Sequence, residues 1–330
     1  LSRFLEDQAI NQSNTLEIPD NEVLEALMSK ISETSIGEGG EQQGKLKQFL
    51  ITSVYLGIRE PDTKGHSISN LYRVRQIHAD PSAEGQYAHC TRAQEDDYSQ
   101  GNESALEGTR QVIRDKVEQA RALALSGEPQ TIEVSFYLEF YGSVSVPVHG
   151  PAFMVGEAMH TVQDSFSHTI RCDQDDLRRI AAVFNYIDAI ASNFHEERDG
   201  LAHSNSMDKC FDPDAADLTE AATQASADFA VAVQAYFTGD DLAIEIFFED
   251  WMTLRPGCTL ENDFCDNSRW LKLARRDQTE PVLEELFGCQ YSTQPVLPSP
   301  LLFLLMLGVL LKVVRVSGLG DRRDGSNHQP

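Results

Sequence analysis

Positive charge is scarce in this sequence. Its 330 residues hold 27 lysines and arginines against 52 aspartates and glutamates, a net charge of −25. So acidic a surface repels nucleic acid and anionic membranes over most of its area. A polyanion can bind only where metal ions or a local basic patch reverse the sign. The plainer use of the acidity is solubility. CxxC spacing is missing among the six cysteines (Cys90, Cys172, Cys210, Cys258, Cys265, Cys289), which excludes a zinc ribbon. Their even number fits disulfides in an oxidising compartment, hence an exported chain. Cys258 and Cys265 are close enough to bridge locally, and Cys172 with Cys210 makes a second pair; buried free thiols are the alternative. No internal repeat of solenoid length is present.

A full-length membrane span is also lacking at the C-terminus. The apolar run Leu301–Leu311 has eleven residues, where a spanning helix needs about 20. It extends to Val316 if Lys312 and Arg315 snorkel. The proline-rich approach at 294–300 cannot be helical. An apolar run with a basic end reads as a surface-sorting tail or a single anchor in the cell-envelope membrane, basic side inside. A buried terminal helix would need a polar face, and none alternates here. The sequence thus divides into a helical domain over 1–290, a Pro/Ser linker over 291–300 and a hydrophobic tail over 301–330.

What is present is a composition able to build a core, 41% apolar and 24% charged. Period-3.6 patterns predict helices over 18–33, 45–58, 102–125, 152–170, 174–198, 214–238 and 241–254, with 59–70 as a loop. Over 131–150 the period drops to two. Val134, Phe136 and Leu138 alternate with Ser135, Tyr137 and Glu139, and the chain turns at Gly142, which predicts a hairpin. The fold class is mainly α: a multi-helix bundle with a metal cluster in its core and one small β-hairpin.

The metal cluster is read from the stretch GEAMHTVQDSFSHT. His160, Asp164 and His168 stand four residues apart, so on a helix they follow one slowly turning stripe about 12 Å long. One zinc with bonds of about 2 Å takes two neighbours of such a stripe, not three. Three ligands over that length suit two or more ions, with Asp164 able to bridge. The spacing recurs at His195, Asp199 and His203, although Gly200 is placed to end that helix and leave His203 in a loop. A single His/Asp pair is common on solvated helices. Two arrays in a chain with nine histidines point to facing helices that share metal ions. His149 reads as structural.

The helix over 156–169 resembles the signature helix of the zinc-dependent phospholipase C family, which shares its fold with the single-strand nucleases of the S1/P1 type. The resemblance is strong over 150–172 and fair over 57–210. It implies two or three Zn2+ ions. It implies His160 and Asp164 as ligands of one ion, with Asp164 bridging to another, and His168, His195 and Asp199 around the remaining one. It further implies an upstream aspartate and histidine, best matched by Asp62 and His89, with His66 and His78 as competitors. Asp62 is then a zinc ligand or the general base. The family's further site uses the mature N-terminal amine and an early histidine, and no histidine precedes His66. The spacing from Asp164 to His168 is shorter than in the family, and Asp199 stands where a glutamate is usual. The implied activity is cleavage of a phospholipid head group by zinc-bound hydroxide. The alternatives are a nuclease of the same fold, for which Leu177–Ile180 holds the nearest basic cluster, and a non-catalytic surface protein with a structural metal site.

Overall fold

Outside 174–198 the helical periodicity is realised in the structure, a computed structural model that describes residues 18–32 and 41–276 except 127, 139–140, 191–192 and 261–262. The linker at 291–300 and the apolar tail lie outside the described residues. Among those described, no helix is long and apolar enough to cross a membrane. The chain runs α1 (Glu22–Ser32), α2 (Glu41–Thr63), α3 (Leu71–His78), α4 (Ala83–Tyr87), α5 (Gln100–Leu125), β1 (Thr131–Leu138) and β2 (Gly142–His149). It continues through α6 (Gly150–Ser167), β3 (Thr169–Arg171), β4 (Arg179–Val183), α7 (Glu196–Asp199), α8 (Ala216–Phe237), α9 (Ala243–Trp251), β5 (Thr253–Leu254) and α10 (Ser268–Ala274).

Helix α6 is the centre. It is apolar on nearly every face, from Ala152 and Val155 to Val162 and Phe166, which is the signature of a helix surrounded by protein. Pro151 opens it, where a missing N–H costs nothing. His149 caps it: its Nδ1 accepts from the Ala152 N–H at 3.2 Å, and its Nε2 meets Gln130 Oε1 at 2.8 Å. That buried ring is structural, as its position after the hairpin implied. Helices α2, α5 and α8 pack around α6.

The α2–α6 crossing is unusually close. Gly57 of α2 and Gly156 of α6 meet backbone to backbone: a Cβ on Gly57 would stand 2.0 Å from the Phe153 carbonyl oxygen, and one on Gly156 2.2 Å from that of Val54. Only glycine allows this approach. It places the last turn of α2 directly against the metal-friendly face of α6.

The hairpin forms as its alternation predicts, with β1 and β2 antiparallel and Gly142 in the left-handed region at φ 73°. Phe136, Val146 and Val148 turn inward onto Leu24, Phe49, Leu56 and Phe153, a small core shared with α1 and α2.

Three expectations are corrected. Helix α2 runs on to Thr63, so Asp62 sits on a helix rather than in a loop; Pro61 falls in the last turn. Residues 174–198 form no long helix. Asp176 and Leu177 both take positive φ (50° and 60°), and Ile180 to Phe184 are all buried. So short and continuous an apolar run suits a central strand. Strand β4 accordingly lies between β3 and β5, giving a second, three-stranded sheet beyond the single hairpin expected. Finally, Cys258 bridges Cys265 as the spacing predicts, but Cys172 is a free buried thiol and Cys210 is disulfide-bonded elsewhere. The Cys172 sulfur lies 3.9 Å from that of Cys258.

Arg171, fully buried and with no ion-pair partner among the described residues, ties the end of α6 to the turn before β4 and to α9. Its guanidinium donates to the carbonyls of Leu177 and Trp251, both at 2.9 Å, and to Ser165 Oγ at 2.7 Å. Burial pulls its pKa down to about 9, which still leaves it charged at neutral pH.

Candidate metal centre

Four side chains from three parts of the chain converge where α2 crosses α6. Asp62 comes from the last turn of α2, five residues beyond Gly57; His160 and Asp164 come from α6, four and eight beyond Gly156. His89 comes from the turn after α4. That turn is pinned to α6 twice: the Thr161 hydroxyl donates to the Ala88 carbonyl at 2.8 Å, and His168 Nδ1 donates to the His89 carbonyl.

Asp164 Oδ2 lies 3.0 Å from both His89 Nδ1 and His160 Nε2, and those two nitrogens are 3.2 Å apart. Asp62 Oδ1 closes the group at 3.6 Å from His160 Nε2 and 3.9 Å from His89 Nδ1. A tetrahedral ion with bonds of about 2.0–2.1 Å separates its ligand atoms by roughly 3.4 Å. The four donors are therefore spaced as a divalent ion requires. His78, at the end of α3, supports Asp62 from outside through its Nε2 at 3.3 Å, and its Nδ1 meets the Val74 carbonyl at 2.9 Å. An outer partner of this kind orients a ligating carboxylate.

A second group lies past the end of α6. His168 is not on the helical stripe; it is the residue that ends the helix, its N–H bonded to the Asp164 carbonyl at 2.9 Å. Its Nδ1 bond to the His89 carbonyl leaves Nε2 free to ligate. That Nε2 stands 3.3 Å from Asp208 Oδ1, and His203 Nε2 stands 3.1 Å from Asp208 Oδ2. The end of β4 sets both rings: Phe184 N–H donates to the His168 carbonyl at 2.9 Å, and the Asn185 carbonyl accepts from His203 N–H at 2.9 Å. The Asp164 Oδ2 atom is 3.8 Å from His168 Nδ1, so the two groups adjoin. The chain thus carries two His/Asp groups able to hold metal ions; the sulfurs of Cys172, Cys258 and Cys265 also cluster, but two of them are joined in the disulfide.

Two expected ligands are absent from these groups. His195 is exposed, and the buried Asp199 carboxylate accepts from the His195 backbone N–H at 2.7 Å and from the Arg198 guanidinium. With α7 only four residues long, the His195/Asp199 segment does not supply the facing donor helix; α2, through Asp62, does. His203 and Asp208, from the loop that follows, take their places. His66 is exposed and joins neither group.

The electrostatics are those of a site built for cations. Burial works against charge on His160 and His168, but neighbouring carboxylates outweigh it: Asp164 and Asp62 hold the His160 pKa up at about 9, and Asp164 and Asp208 hold His168 at about 9. Burial pushes His89 down to about 4. Despite their burial, Asp62 is held at about 2 by His160 and His78, and Asp164 and Asp208 lie well below the usual carboxylate range beside their histidines.

Without metal, His160 and His168 are therefore protonated at pH 7. A cation must displace one proton from each, so its apparent affinity rises with pH, by roughly tenfold per unit for each ring, and levels off above pH 9. Calorimetry at pH 7 in buffers of different ionisation enthalpy is expected to show close to two protons released when both groups fill. The metal-free fold has the opposite dependence on these two rings. Their pKa values are raised on folding, so their stabilisation is complete below the unfolded value of about 6.5 and is lost as pH climbs through 9.

No protein-family model, curated protein or solved structure matches the chain.

Proposed function

We propose that the protein is a metal-dependent phosphodiester hydrolase of phospholipase C type, with Zn2+ as its metal. The observation that carries the reading is the pair of adjoining groups, four donors in one and three in the other. Four protein donors complete a tetrahedral shell, whereas three leave a position for water or substrate, the pattern of a catalytic zinc site. Divalent ions in such a pair acidify water and neutralise phosphoryl oxygens.

The rest falls to the chain's own residues. Asp62, Asp164 and Asp208 bring three negative charges against the four of two divalent ions, with the four histidines neutral. The centre then carries a net charge of +1 within a chain of −25, which attracts a phosphodiester anion. Asp164, reaching both groups, fixes their separation. His168 couples the two through its bond to the His89 carbonyl. Export and anchoring by the 301–311 run belong to the same proposal, and they rest on the cysteine usage and the tail sequence.

A non-catalytic structural metal site is the second reading. The closed, four-donor first group favours it. Elemental analysis of the purified protein, followed by assay on phosphatidylcholine and on single-stranded DNA, separates the possibilities. Two ions per chain with head-group release supports the proposal. Two ions with DNA cleavage gives the nuclease. Bound metal with neither activity gives the structural reading, and a metal-free folded protein ends all three.

A further inference from the structure

Helix α3 is anomalous in this chain. From Thr63 to Ala79 there is no acidic residue, while Lys64, His66, Arg73, Arg75 and His78 all fall in that stretch; Lys64 pairs with Asp80 at 4.0 Å and His78 with Asp62 at 3.3 Å, and among the described residues neither Arg73 nor Arg75 has an acidic ion-pair partner. None of the helix's eight residues is buried. So short a helix has little stability of its own in water. It is held at its ends: Asn70 caps it, Gln86 donates to the His78 carbonyl at 2.9 Å, and His78 is bonded to Asp62. Val74, Ile77 and His78 form the half-buried side, and Leu71, Tyr72, Arg73, Arg75 and Gln76 face outward. Leu71 is 45% exposed and Tyr72 69%, two large apolar groups beside two arginines.

This surface adjoins the metal centre. His78 touches Asp62, and its ring lies 4.6 Å from that of His89. The phenol of Tyr186, whose ring packs on His203 at 5.2 Å, lies within the electrostatic reach of both Arg75 and Asp208. The basic helix and the second His/Asp group therefore border the same region.

We propose that α3 is a membrane-docking helix: Leu71 and Tyr72 enter the head-group layer of an anionic phospholipid surface while Arg73 and Arg75 hold lipid phosphates. Apolar side chains beside cationic ones on one exposed face are the chemistry of an interfacial helix. Charge complementarity selects the occupant, because an otherwise acidic protein meets an anionic bilayer only through a basic patch. Leu71 argues for lipid over nucleic acid, since it offers nothing for a base to stack on or hydrogen-bond to. The proposal deepens the phosphodiesterase reading, on which it rests for its purpose, by naming a bilayer as the form in which the substrate is met.

The test is the full chain carrying Tyr72→Trp, titrated with vesicles of phosphatidylglycerol and phosphatidylcholine whose acyl chains are brominated. Both native tryptophans, Trp251 and Trp270, are buried, so the added indole reports on α3 itself, whatever the apolar tail contributes to vesicle binding. The expected result is a blue shift and quenching that need the anionic lipid and that weaken about tenfold or more when Arg73→Glu and Arg75→Glu are added. Emission that stays solvent-like and unquenched on saturating vesicles overturns the proposal. So does a response to a single-stranded oligonucleotide in place of the vesicles. The readout needs neither metal nor turnover. Docking without hydrolysis would therefore sink the enzyme reading alone, and hydrolysis without docking would sink this one alone.

Discussion

Asp164→Asn is expected to strip metal from the first group and to abolish turnover. The substitution keeps the shape of the side chain and removes its charge, so the fold tolerates it. The site does not. Asp164 Oδ2 is the atom at which His89 and His160 meet, at 3.0 Å each, and it reaches to 3.8 Å from His168. Removing that charge takes away the attraction on two facing histidines and one ligand of the ion. The loss of affinity should exceed the roughly 10–100-fold that outer-shell partners are worth. On the proposed hydrolase function, hydrolysis should fall by about a thousandfold or more, since water activation and charge neutralisation at the phosphoryl group would be lost together. His195→Ala is the control. Its ring is exposed and outside both groups, so metal content and rate should match the unaltered protein. Elemental analysis and a thermal melt on each variant decide the matter. Full metal content in Asp164→Asn would show that the convergence of donors on α6 is not a metal centre.

The pairing of these two variants also marks where the sequence was legible and where it was not. His160 and Asp164 could be read because an α-helix converts a spacing of four into a shared face, and because α6 is one of the most regular elements of the fold. The hairpin was legible for the same reason: period two in Val134 to Leu138 has one simple structural solution. Between residues 174 and 198 the structure departs from the predicted helix, whereas the helices expected at 214–238 and 241–254 form. Leu177 to Ala191 is rich in residues that favour helix, yet β4 forms there because its whole apolar run is buried between β3 and β5, and burial overrides propensity. The second histidine array then lost its helix. His203 and Asp208 lie in a loop, five residues apart, and loop ligands carry no period. The one available signal was negative: Gly200 takes φ 82° and so ends the array before His203. Asp62 was recognised, but placed in the loop predicted over 59–70, whereas α2 runs on through Pro61 to Thr63. Neither Gly57 nor Gly156 stood out in the sequence, although together they determine how near Asp62 comes to His160.

Gly156→Ala should therefore damage the site from a distance. By helix propensity alone, the change stabilises a helix by up to about 1 kcal/mol. Here the new Cβ would stand 2.2 Å from the Val54 carbonyl oxygen and 2.9 Å from the Gly57 Cα, against ordinary contacts of 3.4–4 Å. Both neighbours are backbone, so no side chain can swing away. Helices α2 and α6 must separate by about an ångström, and overpacking of this kind costs about 1–3 kcal/mol, which outweighs the gain in propensity. The displacement then reaches the metal centre. Asp62 rides on α2 while His160 and Asp164 ride on α6, and ligand distances tolerate only about 0.2 Å of error. Gly156→Ala is expected to melt earlier and to bind metal at least tenfold more weakly, with His168, His203 and Asp208 less affected than the first group. Gly44→Ala supplies the comparison within α2: nothing lies within 4 Å of the added carbon, so the same chemical change should stabilise the protein slightly and leave metal affinity alone. Equal melting points and equal affinities in the two variants would mean that the helix crossing does not hold Asp62 in place. A Gly156→Ala protein that melts earlier yet keeps its affinity would mean that metal binding itself draws Asp62 back.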